Sequence, residues 1–529
     1  MASYLPTNFI DHLIRSVPGF NKETKQYEVA RMLWMLTEPA HRHNEYKNSI
    51  YLSAIERDKL FGGRKKFDEI NRTQESEGRY FYIHRFINSP KTKLSKKSNK
   101  RYTYGYQPMP WMLRALDEYL LSDNAPTALL KAKNKVVRTI PRAISSLTNK
   151  SLTMTAWKDV FVPNQIKVNI ENINRLKYFY RDVMQANVLG ILPSDIPYLE
   201  DLGTQMLSDW SAYRFRSAGS VAIATNNNIA QGYLLHNYEQ ITTGRLYARG
   251  INLQNCPREI RMAALSGCWD YDIDCCHFAI LNQMAMSFGF DCSAIRDYIA
   301  NKKLFRSAIA KESGISYEQA KTVLTMLIYG AVKSHRSQDA IPVEIGNEAS
   351  SRLYVSPSFL LIEKEVKKAG NIIYKMHPQQ NGLFVNLMGM GIKSDNKQAS
   401  VLAHLLQGVE AAALRSAANF CKDDLLLLMH DGFATVNRLN IKELEGSVFK
   451  DTGYRLTFEE GRLEYPYPDI SNEKWVNELN LKLAENKENF NLINELNGGL
   501  TIPMTTIATT HWDIPPVYPI PIKSEPTPF

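Results

Sequence analysis

The stretch LLLLMHDGFATV, Leu425 to Val436, constrains the fold more than any other part of this 529-residue chain. Four leucines and a methionine belong in a core, yet His430, Asp431 and Gly432 follow at once. Burying a carboxylate costs several kcal/mol unless another group pairs with it. The pattern therefore predicts a buried strand that ends in a carboxylate. It also requires a cation or counter-charge brought from elsewhere in the sequence.

A second acidic stretch, SGCWDYDIDCCHFAIL, lies upstream at Ser266–Leu281. Asp270, Asp272 and Asp274 alternate with Trp269, Tyr271 and Ile273, so a strand here carries its carboxylates on one face and apolar groups on the other. Like charges on one face repel unless a cation sits among them. Hard oxygen donors favour two magnesium ions, with manganese as the alternative, over zinc. An Asp-rich turn beside an unrelated strand end has the same spacing, so the pattern alone leaves both readings open. Between the acidic stretches, YEQAKTVLTMLIYGA places Lys321, Thr325 and Tyr329 at i, i+4 and i+8 of a helix, with Gly330 following. That face suits a triphosphate, a sugar and a base, or is an ordinary amphipathic surface.

Composition fits a globular, soluble chain, 44% hydrophobic and 22% charged, with 64 basic against 54 acidic residues. The net charge of +10 permits a polyanionic partner without requiring one. Six cysteines at this length make no disulfide framework, and Cys256, Cys268, Cys275, Cys276 and Cys292 show no CxxC spacing for zinc. Reduced thiols, no secretory signal and no apolar run of about 20 residues lead us to expect a cytoplasmic protein without a membrane segment.

Residues 1–123 read as a separate unit: helical segments, then two aromatic-rich strands, RYFYIHRFI and RYTYGYQPM, around a basic tip. Arg64, Lys65 and Lys66 on a short helix, with Lys96 and Lys97 in the tip, match the order of a winged helix-turn-helix that binds nucleic acid. Basic loops are also often only solvated. Residues 124–215 read as a basic linker and helices, 216–470 as the region with the chemical motifs, and 471–529 as a helix and a proline-rich tail.

The phrase TTGRLYARGINLQNCPREIR, Thr242–Arg261, together with DYDIDCCHFAIL, KTVLTMLIYG, LLQGVEAAAL and MHDGF, resembles the superfamily of polymerase-I-type DNA polymerases and phage-type single-subunit RNA polymerases. The motifs stand in that family's order. The resemblance implies an α+β multidomain fold, a right hand of palm and fingers over 216–470 with thumb-like helices in 124–215, behind the winged-helix-like unit. It implies that Asp272 and Asp431 hold the two metal ions, with Asp270 and Asp274 beside them. Lys321 would neutralise the triphosphate, with Thr325, Tyr329 and Gly330 at the nucleotide. His430 would support the turn. Arg245, Arg249, Gln254, Asn255 and Gln407 would contact nucleic acid.

HDGFAT and GRLYA are closer to the RNA enzymes, while NLQN-P and QG--A are DNA-polymerase phrases. His277 stands where a DNA polymerase has a ribose-excluding glutamate, and Tyr317 where an arginine is expected; Lys311 and Arg306 are possible substitutes. We expect a compact RNA polymerase or primase of a phage or mobile element, working as a monomer with or without an accessory protein in a bacterial host. Its partners would be a DNA template, nucleoside triphosphates and an RNA or DNA product. The alternatives are a DNA polymerase without proofreading, and a replication initiator whose polymerase fold is inactive.

Overall fold

The computed structural model describes residues 5–17, 20, 26–37, 50–53, 83–87, 103–108, 110–121, 129–131, 135–137, 155–189, 204–226, 232–337 and 339–467, with isolated positions 481 and 484. Arg64, Lys65, Lys66, Lys96 and Lys97 lie outside the described residues, as do the basic tip and the proline-rich tail. Helices α1 (Thr7–Ser16), α2 (Gln26–Trp34) and α3 (Pro110–Leu121) accompany a three-stranded sheet of β1 (Ile50–Ser53), β2 (Ile83–Ile87) and β3 (Thr103–Pro108). In it β3 is central and antiparallel to both neighbours, so the two aromatic strands read from the sequence do pair.

Two long helices, α4 (Ile170–Leu189) and α5 (Thr204–Asn226), pack against one another. The α5 residue Arg216, 2% exposed, is clamped to Asp117 of α3 at 2.6 Å, which fixes the helix pair to the N-terminal unit. No described helix is long and apolar enough to cross a membrane.

The acidic motifs meet in one antiparallel sheet. The strand pair β4 (Asn237–Gln240) and β5 (Leu246–Arg249) precedes the short helix α6 (Arg258–Ala264), which feeds β6 (Trp269–Ile273) and then α7 (Cys276–Ser287). Further on come α8 (Lys302–Ser313), α9 (Tyr317–Ile328), α10 (Pro357–Met376), β7 (Leu383–Val385) and α11 (Gln398–Phe420). The chain then returns through β8 (Leu425–Leu428), β9 (Gly432–Thr435), α12 (Ile441–Thr452) and β10 (Phe458–Arg462), and the four-stranded order is β8-β9-β6-β10. Asp272 is opposite Gly432, and Asp270 opposite Ala434.

This sheet divides two apolar cores. Tyr271 and Ile273 face one, where the Tyr271 and Phe433 rings stack at 5.2 Å and α7, α9, α10 and α11 bury their apolar faces. On the opposite face, cross-strand from Asp270, Ala434 packs with Leu427 and Met429 into the core of the α4–α5 pair. The strand is thus covered on its Tyr271 face and, at Asp270, on its carboxylate face, while Asp272 stays exposed.

Local chemistry sets the ends of α9, the helix that carries Lys321. Ser316 accepts from the Gln319 N–H at 3.1 Å and Gln319 Oε1 accepts from the Ser316 N–H at 3.0 Å, a capping box. Its apolar residues Ala320, Val323, Leu324, Leu327 and Ile328 are buried, so Lys321 and Thr325 are turned to solvent. Gly330 ends the helix in a left-handed conformation at φ 82°.

Candidate active site

Adjacent strands place Asp270, Asp272 and Asp431 together, with one difference from the sequence reading. Asp431 is exposed, in the turn between β8 and β9, whereas the buried carboxylate is Asp270 at 9% exposure. The apolar run stops at Leu428, and the Met429 N–H closes the turn on the Gly432 carbonyl at 2.8 Å. Two residues of turn are enough to lift Asp431 clear of the core.

Asp274 also departs from expectation. The strand ends at Ile273, Cys275 takes a left-handed φ of 45°, and the chain turns into α7. Asp274 therefore leaves the acidic face and pairs with Lys302 of α8, which also holds Glu459.

The remaining three carboxylates are electrostatically coupled. Asp272 is exposed at its surface yet sits against protein, and it is pushed up to about 6 by partial loss of water, then by the Asp270 and Asp431 charges. Burial likewise raises Asp270, against the pull of Arg261 and Arg258, and its Oδ1 has no hydrogen-bond partner. Gly432 permits this arrangement: a Cβ there would lie 2.3 Å from Asp272 Oδ1 and 2.4 Å from the Tyr271 carbonyl oxygen. Asp270 Oδ1, buried and without a partner beside the Asp272 and Asp431 charges, is the kind of oxygen a divalent cation takes, although the three carboxylates do not converge within 4.8 Å of one another.

That fit has a thermodynamic consequence. A carboxyl whose pKa rises on folding adds stability below its unfolded value near 3.8, and this is lost as pH climbs through about 6. A cation binding the ionised cluster reverses the loss. Magnesium at ten times its Kd is therefore expected to stabilise the fold by about 1.4 kcal/mol at pH 7.5. The gain at pH 5 should be much smaller. Thermal melts with and without the ion check this, and equal shifts at both pH values would contradict it.

A second constellation lies beyond α7. Arg245 of β5 donates to Glu410 of α11 at 2.5 Å, and His277 Nε2 lies 2.7 Å from the same oxygen. The Tyr329 hydroxyl, at the end of α9, is 2.9 Å from His277 Nδ1. Tyr329 lines an open cleft of about 560 Å³ together with Glu318, Lys321, Thr325 and Gly330. The four nucleotide-site residues read from the sequence thus share one cleft wall.

Among the described residues, Cys276, His277 and Glu410 form the one set of three potential metal-ligating atoms lying within 4.8 Å of one another. Arg245 already neutralises Glu410, and burial pushes the Cys276 thiol up, so this set is an ion-paired network.

Several residues read as nucleic-acid contacts are held within the protein. Gln254 is buried: its Oε1 accepts from the Ala248 N–H, and its amide nitrogen donates to the Leu246 and Leu428 carbonyls, tying β5 to β8. Arg245 points inward to Glu410, and Gln407 on α11 is half-buried. Asn255 donates weakly to the Ala248 carbonyl at 3.4 Å, and exposed Arg249 pairs with Glu239. His430 stacks obliquely on Tyr247 at 4.4 Å, and burial with the nearby Arg245 charge lowers its pKa, keeping it neutral near pH 7.

The TGR turn is itself anchored. Gly244, at φ 93°, brings its backbone against Met388, and its carbonyl accepts from Trp157 Nε1 at 2.7 Å. Glu410, Arg258 and Arg261 were not singled out from the sequence. Glu410 stands three residues after Gln407 and is the one acidic residue of α11, a carboxylate amid Val409 and Ala411 that invites a buried partner.

No protein-family model matches the chain, and no curated protein matches it. Among solved structures it is similar to the POL domain of Pol1 from M. smegmatis in complex with DNA primer-template and dNTP. The identity is 16% and the TM-score 0.37, covering 60% of this chain and 70% of that one.

Proposed function

We propose that this chain is a DNA-templated nucleotidyltransferase, a compact RNA polymerase or primase. The observation that carries the reading is the Asp270–Asp272–Asp431 cluster on paired strands β6 and β9, with a cleft walled by Lys321 and Tyr329 in the same region. A phosphoryl-transfer site needs clustered oxygen ligands together with a cationic cradle for the nucleotide, and both are at hand.

In this reading the four-stranded sheet is the palm, the helices around α9 are the fingers, and α4 and α5 are thumb-like. Asp272 and Asp431, with Asp270 behind them, would hold two magnesium ions (or manganese), which supply activation of a 3′-hydroxyl and charge neutralisation at pyrophosphate. The hydroxyl oxygen bonds to the α-phosphorus while the bond to the pyrophosphate oxygen breaks. Lys321 faces the leaving phosphates as a point charge. Tyr329 offers its ring to the base and sugar, and Gly432 lets Asp272 lie close to β9.

Lys321→Ala is expected to raise KM for nucleoside triphosphate about tenfold to a hundredfold, the worth of one charge-assisted hydrogen bond at roughly 1.5–3 kcal/mol. Steady-state extension on a single-stranded DNA template measures it, and an unchanged KM would remove Lys321 from the nucleotide site. The ribonucleotide assignment rests on the HDGFAT and GRLYA phrases. Parallel reactions with ribonucleotides or deoxyribonucleotides decide it, and deoxyribonucleotide extension alone would make the chain a DNA polymerase.

A further inference from the structure

We propose that Glu410 is a positioning residue for Tyr329, acting through His277; this rests on the nucleotidyltransferase reading above. Glu410 is fully buried, yet no polymer or nucleotide contact is open to it. Its Oε2 accepts from Arg245 and faces His277 Nε2 at 2.7 Å, while its Oε1 has no partner. Holding an ionised carboxylate in a core with one oxygen unmatched is costly, and a hydrophobic side chain would suit α11 better on stability alone.

A carboxylate can only accept, so His277 donates from Nε2 to Glu410 Oε2, and Arg245 donates to the same oxygen, which leaves the two nitrogens 3.2 Å apart. The other ring nitrogen of His277, Nδ1, is hydrogen-bonded to the Tyr329 hydroxyl at 2.9 Å. The His277 and Tyr329 rings meet edge to face at 88°, which holds the tyrosine ring in one orientation.

A ligand in the cleft meets a Tyr329 side chain whose hydroxyl is held by His277, so the ring serves as a fixed platform. Glu410, on a helix far from Tyr329 in the chain, sets the platform's angle.

The test is a double-mutant cycle on nucleotide incorporation by the full chain. Glu410→Gln and Tyr329→Phe are each expected to raise KM about tenfold, or 1.4 kcal/mol, with kcat changed less than about twofold. Combined, they should add nothing further, because both break one chain of contacts. Additive effects or an unchanged KM in Glu410→Gln would each overturn the proposal. If thermal melts show that Glu410→Gln does not fold, His277→Phe carries the same test without uncovering the Arg245 charge. The wild-type control separates the two claims. Product from wild type with a failed cycle sinks the relay alone, and no product from wild type sinks the function on which it rests.

Discussion

Asp431→Asn is expected to lower nucleotide incorporation about 10³-fold, since losing a charged metal ligand removes several kcal/mol of transition-state stabilisation. The same substitution should raise the melting temperature of the metal-free protein slightly. The two effects have opposite signs for one reason. Asp431 is exposed, so its removal opens no cavity and strands no buried partner. Its charge is one of those that push Asp272 up to about 6, so asparagine there relieves repulsion in the folded state. Function and stability compete at this position. Incorporation rates and melts in chelator measure both. A large fall in melting temperature would mean that Asp431 is structural, and full activity would remove it from the site.

Gly432→Ala is expected to abolish activity nearly as completely and, unlike Asp431→Asn, to destabilise the fold. A methyl at this position would lie 2.3 Å from Asp272 Oδ1 and 2.4 Å from the Tyr271 carbonyl oxygen. The carboxylate can rotate away, but the carbonyl belongs to the paired neighbour strand and cannot. Overpacking of this kind costs roughly 1–3 kcal/mol. Displacing Asp272 by about 1 Å would cost on the order of 10²-fold in rate. Chemical denaturation and incorporation assays read the two effects, and an alanine variant with normal rate and stability would contradict the close approach of β6 and β9.

The acidic strands, the Lys321 face and the His-Asp turn were legible in the sequence because each is a local pattern: alternation on a strand, i/i+4/i+8 on a helix, an apolar run cut by a carboxylate. The level of burial was not. Whether Asp270 or Asp431 enters the core depends on where β8 stops, and a two-residue turn decides that. Asp274 was misplaced because alternation cannot reveal that Cys275 adopts a left-handed φ and ends the strand. Gln254 and Arg245 read as ligand contacts by resemblance, yet their partners, Leu428 and Glu410, lie more than 160 residues away in the chain. Long-range pairing of this kind leaves no mark in local spacing. The basic residues Arg64, Lys65, Lys66, Lys96 and Lys97 lie outside the described residues, and their role in nucleic-acid binding remains a proposal from charge and order alone.

The central claim is that the carboxylates on β6 and in the β8–β9 turn carry out template-directed nucleotide transfer. The most direct measurement is incorporation of α-labelled nucleoside triphosphates by the full chain with magnesium on a single-stranded DNA template, with and without primer. Polymer complementary to the template is expected, with one pyrophosphate released per nucleotide added, and loss of both with Asp431→Asn. No polymer from the wild-type chain with either nucleotide set, or equal polymer from wild type and Asp431→Asn, would contradict it.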